Sequence, residues 1–102
     1  MIRIVYSSEA KADLGRERDY YAAIRHELGA RFLSAVEQAV LSLATRPLAM
    51  QIIQDEIRRW PVKGFQHGVL YRVDAQSVFI LAVFHPRQHP ARWQKRAKGA
   101  QE

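Results

Sequence analysis

The chain has 102 residues, a formal net charge of +6 and no cysteine. That length supports one domain with a single core, the missing cysteines exclude disulfides and thiolate metal sites, and a 48% hydrophobic content excludes a disordered chain. No basic-then-apolar leader and no apolar run near ~20 residues occurs, so neither a signal peptide nor a membrane span is expected, and a cytoplasmic, reducing setting is.

Residues 2–6 alternate Ile2, Ile4 and Tyr6 against Arg3 and Val5, the pattern of a first strand. Ser7 and Ser8 are placed to cap a following helix, with Glu9 and Asp13 near its positive end. Ala10, Leu14, Tyr21, Ile24 and Leu28 recur at helical spacing and predict one buried stripe. Gly29 interrupts that pattern before a second set, Phe32, Leu33, Val36, Val40 and Leu43. The reading is two helices joined near 26–31, or one helix bent there, forming an αα-hairpin. Pro47 ends the second helix by disfavouring helical geometry at Arg46.

Residues 48–56 read either as a loop or as a short helical turn. Residues 57–62 resemble a strand carrying Arg58, Arg59 and Trp60, and Pro61 requires that it lie at an edge or stop there. After a turn at 63–66, Val69, Tyr71 and Val73 alternate with Leu70 and Arg72. Asp74 to Ser77 supplies turn residues. Residues 78–84 are apolar on both faces, as in a central strand covered on both sides. Pro90 suits the first position of a short helix over 91–97, with Trp93 and Ala97 inward and Arg92, Lys95, Arg96 and Lys98 outward; the tail at 99–102 is expected to fray. The order is β-α-α-β-β-β plus a C-terminal helix: an α+β fold with a helical hairpin on one face of a mainly antiparallel sheet, in one domain spanning 1–102.

Between residues 57 and 98 stand nine cations, Arg58, Arg59, Lys63, Arg72, Arg87, Arg92, Lys95, Arg96 and Lys98, against one anion, Asp74. Such asymmetry points to a polyanionic partner: nucleic acid, a phosphate-rich site or an acidic protein. The last strand delivers His85, Arg87, His89, Arg92 and Trp93 to one sheet end, where any binding or chemistry is expected. His85 and His89 do not make a metal site, because their spacing crosses Pro86 and Pro90 in a turn and no third ligand lies near. No cofactor motif is present. His85 can serve as an acid or base beside Arg72 and Arg87, which can hold a phosphate. The simpler reading is that His85 closes the strand end with a hydrogen bond. Tyr71 reads as core, and Trp93 as the anchor of the last helix.

The opening strand IRIVYS, Glu9, Ala10 and Asp13-Leu14, then GARFLSAVEQAVLSLATRP, RRWPVKGF, GVLYRVDAQSVFILAVFH and HPARWQKR, in that order and spacing, resemble toxins of the RelE/ParE superfamily. The resemblance implies a helical hairpin on an antiparallel sheet, a growth-inhibiting or plasmid-stabilising role, and an acidic antitoxin forming a hetero-oligomer with the toxin. RelE-like members cleave mRNA in the ribosome; ParE-like members poison DNA gyrase. The ribonucleases place an arginine where this chain has Gly68, and a tyrosine where it has Trp93, which has no hydroxyl for acid–base work. The likeness is therefore closer to ParE, and a protein-binding inhibitor is expected rather than an enzyme. If the chain were a nuclease, the resemblance assigns His85, Arg87, Arg59 and Lys63 to its metal-independent site. The expected target-binding residues are Arg58, Arg59, Arg72, Arg87, His89, Arg92, Lys95 and Arg96, and the expected antitoxin contacts Trp60, Val62, Lys63 and Arg87. A non-toxic, antitoxin-binding remnant is the third reading.

Overall fold

The computed structural model describes residues 2–99. The elements run β1 (Arg3–Tyr6), α1 (Ser8–Ile24), α2 (His26–Thr45), β2 (Ile52–Gln54), β3 (Ile57–Pro61), β4 (Gly68–Val73), β5 (Ser77–Phe84) and α3 (Ala91–Gly99). One sheet has the order β1-β5-β4-β3-β2. Its β2–β3, β3–β4 and β4–β5 pairs are antiparallel, whereas β1 lies parallel to β5, with Arg3 opposite Ser77 and Tyr6 opposite Ile80. The expected α+β fold is therefore present, with a mixed sheet.

Strand alternation divides the core. Val69 and Tyr71 of β4 pack with Phe32, Val36, Val40 and Leu43 of α2. Leu70, between them, packs on the other face with Ile57, Trp93 and Ala97. The helical hairpin thus covers one face and α3 the other, and β5 is central and buried on both sides as its unbroken apolar run predicts. A bulge lets β5 serve both layers: Leu70 faces Ala82 and Tyr71 faces Ile80, so Leu81 is the extra residue. The Tyr71 hydroxyl donates to the Pro47 carbonyl at 2.9 Å, which fixes the end of α2 over the sheet. At the β4–β5 turn, Asp74 accepts bonds from the Ser77 hydroxyl, Gln76 N–H and Ser77 N–H. Those bonds stabilise its carboxylate and hold its pKa below the usual aspartate range.

Three expectations are corrected. Gly29 does not break the helix. The break is Arg25, a single extended residue at φ −159°, and α2 starts at His26. Gly29 lies buried inside α2, where a Cβ would sit 2.9 Å from Ala22 Cβ and 2.9 Å from the Arg18 carbonyl. Glycine is there because the two helices touch, not because the chain turns. Gly29→Ala is expected to cost up to about 2 kcal/mol in urea denaturation: overpacking of about 1–3 kcal/mol opposes a helix-propensity gain of about 1 kcal/mol. A variant more stable than wild type would show that the helices part freely.

Second, Ile24 is 61% exposed rather than buried. It ends α1 at the wall of a cleft. Third, residues 48–56 contain the edge strand β2, which turns into β3 through Asp55 and Glu56, both in the left-handed region at φ +50° and +66°. β3 therefore has a neighbour on each side, and Pro61 is its last residue. At the other end, α3 extends through Gly99, and residues 100–102 of the expected frayed tail lie outside the described residues. Among the described residues, no helix is long and apolar enough to cross a membrane.

Candidate functional site

β1 stops at Tyr6, which would leave the rest of the β5 edge unpaired. The start of α1 completes it. Ser7 N–H donates to Ile80 O at 3.0 Å and the Ser7 hydroxyl to Leu81 O at 3.1 Å. Asp13, 2% exposed, accepts the Val83 N–H at 3.1 Å. The same carboxylate takes both terminal nitrogens of Arg96, at 2.6 and 3.1 Å, and Arg16 at 2.8 Å. A buried carboxylate with this many donors is fully satisfied. Its bond to Arg96 raises that guanidinium's pKa against the opposing effect of burial. Arg96, expected to reach a target, is instead a latch holding α3 to α1.

The other cations divide. Arg58 donates to the Met50 carbonyl, inside its own hairpin. Arg59, adjacent in the strand and so on the opposite sheet face, donates to Gln66 O at 3.1 Å. Its stem lies over Gly68, where an added Cβ would meet Arg59 Nε at 2.3 Å. Gly68 is thus the residue that lets Arg59 cross β4. Arg72 donates to Ala97 O at 3.2 Å, near the C-terminal end of α3, where a cation is favoured. Four of the nine cations, Arg58, Arg59, Arg72 and Arg96, thus brace the fold. Arg87, Arg92, Lys95 and Lys98 remain exposed, from the β5–α3 loop along α3, and Lys63 is exposed at the β3–β4 turn.

His85 ends β5. Its Nδ1 accepts the Arg87 N–H at 2.9 Å, and its own backbone N–H donates to Gln88 Oε1 at 3.0 Å. Burial, with His67 and the Arg87 guanidinium adding to it, pushes its pKa down. The ring is accordingly neutral at neutral pH, with its proton on Nε2. This matches the simpler reading of a strand-end hydrogen bond. His89 is exposed and its Nδ1 accepts the Ala91 N–H at 3.1 Å, closing the first turn of α3.

Two further side chains at this end are functional candidates that the chain reading missed. His67, 1% exposed, places Nε2 2.6 Å from Glu17 Oε1 and packs edge-on against the His85 ring, 4.9 Å between centroids. Its Nδ1 is buried without a hydrogen-bond partner among the described residues. Glu17, His67, His85 and Arg87 line a cleft of about 580 Å³ with Tyr20, Tyr21, Ile24 and Phe65. A second groove, between α2 and β3, is lined by Arg31, Gln38, Trp60, Pro61 and Lys63. The expected antitoxin contacts are therefore split: Trp60 and Lys63 belong to the second groove, and Arg87 to the first. Val62 is corrected outright. At 1% exposure it belongs to the core and offers a partner no surface.

A helical hairpin lies on one face of a small mixed sheet and a latched C-terminal helix on the other, the α+β architecture expected of the RelE/ParE superfamily. Residues 4–90 match the family model described as "ParE toxin of type II toxin-antitoxin system, parDE", and the chain belongs to that family. The match ends one residue before α3. A chain from the solved "Chromosomal ParDE TA system from P. aeruginosa" has the same fold, with a TM-score of 0.74 and 17% identity, covering 83% of this chain and 96% of that one. No curated protein matches the sequence.

Proposed function

We propose that this ParE-type toxin acts in the cytoplasm as a protein-binding inhibitor of DNA gyrase, holding the enzyme on cleaved DNA, and that an acidic antitoxin neutralises it. The supporting observation is the state of the segment in which a ribonuclease would need its acid and base. His85 is neutral and its Nδ1 is engaged by a backbone N–H. Trp93 is 7% exposed in the core beneath α3. Neither is arranged to move a proton to or from a 2′-OH. What the segment offers a partner is a docked helix and a loop presenting Arg87, Arg92 and Lys95, suited to steering a polyanionic complex.

Induction of the toxin without its partner, followed by parallel readouts of DNA breaks and mRNA integrity, tests this. DNA-damage signalling with intact mRNA is the expected result. Loss of mRNA without DNA breaks would overturn it in favour of a ribosome-dependent ribonuclease. Harmless expression of folded protein would leave only an antitoxin-binding remnant.

A further inference from the structure

Glu17, Tyr20, Tyr21 and Ile24 are spaced by three and four residues, so they share one face of α1 and together form one wall of the His67–His85 cleft. That face begins as the buried stripe of the hairpin, at Ala10 and Leu14. Its apolar pattern continues to the last turn, but the fold does not cover it there: Tyr20 is 60% and Ile24 61% exposed. The opposite wall is the β5–α3 loop. It presents Arg87, which has no carboxylate partner among the described residues, and the Nε2–H of neutral His85. The one acid of the lining, Glu17, is already held by His67. His67 itself keeps a buried Nδ1 with no partner. The cleft thus combines an uncovered apolar wall, an unpaired cation and the His85 N–H.

We infer that this cleft docks an acidic, apolar-flanked segment of the antitoxin, whose carboxylate is taken by the Arg87 guanidinium and the His85 Nε2–H and whose apolar side chain covers Tyr20 and Ile24. The inference rests on the proposed toxin–antitoxin reading and adds its place and chemistry. Charge decides the occupant: the wall that would meet a partner carries cation and N–H donors, and the partner must supply the acid. Desolvation under the apolar cover strengthens the Arg87 contact relative to an exposed ion pair.

The probe is the acidic polypeptide encoded beside the toxin gene, titrated onto purified toxin. Ile24→Asp and Arg87→Glu alter the two walls. Leu48→Asp changes an equally exposed apolar residue beyond the far end of α2, which has 20 residues and is about 30 Å long. Circular dichroism confirms that each variant is folded. The expected result is a Kd raised about tenfold or more by each cleft variant, and changed by less than about twofold by Leu48→Asp. Tight binding by wild type and both cleft variants alike would overturn the inference and leave the toxin–antitoxin reading intact. So would an equal loss in all three variants. Failure of the polypeptide to bind wild type would remove that reading first. Binding of a single-stranded oligoribonucleotide in the cleft, with the polypeptide ignored, would replace the proposed occupant with a nucleic acid.

Discussion

Asp13→Ala is expected to destabilise the protein by about 3–5 kcal/mol, the range for breaking a buried pair by removing one partner. The carboxylate is 2% exposed and serves the Val83 N–H, Arg96 and Arg16 at once. Its loss leaves an inward guanidinium and an unpaired strand N–H. Small domains have roughly 5–15 kcal/mol in total, so urea denaturation should register a large midpoint shift for this one helix residue. Arg96→Met in the Asp13→Ala background removes the stranded charge, and the double variant should lose less than the two single losses combined. A loss below about 1 kcal/mol for Asp13→Ala would mean that the pair contributes no more than an exposed one.

Trp93→Ala is expected to cost about 3–5 kcal/mol and to act mainly on α3. That helix is held by Trp93 and Ala97 in the second core cluster, by the Arg96–Asp13 latch and by the Arg72 contact to Ala97 O. Without the indole, α3 amides should lose hydrogen-exchange protection while β4 and β5 keep theirs, and toxicity should fall with α3. Trp93→Phe, which keeps an aromatic ring in contact with Phe84, should retain most of both. Full toxicity with an unprotected α3 would show that the segment works without being docked.

Periodicity revealed the faces of the elements, and so the hairpin, the central strand and the core roles of Tyr71 and Trp93. It gave no partners: nothing in residues 2–6 says that β1 runs parallel to β5, because alternation is the same in either direction. β2 was hidden by its turn, in which Asp55 and Glu56 adopt left-handed geometry without the Gly or Asn that usually marks it. Gly29 was misread because close helix contact and chain reversal call for the same residue. Asp13 and Glu17 carried a signal in their positions. They fall on the α1 stripe with Ala10, Leu14 and Tyr21, and acids on an apolar face need buried partners. Those partners, Val83 N–H, Arg96 and His67, are 50 or more residues away in sequence and only the fold supplies them. Charge counting overstated the site for a related reason: Arg58, Arg59, Arg72 and Arg96 are cations by composition, but by geometry they donate inside the protein.

Purified gyrase and supercoiled DNA, incubated with the toxin in the absence of antitoxin, give the most direct test. The expected product is covalently trapped, cleaved DNA, formed by the wild-type chain and lost with Trp93→Ala. Intact DNA under those conditions, together with cut mRNA on programmed ribosomes, would contradict the account.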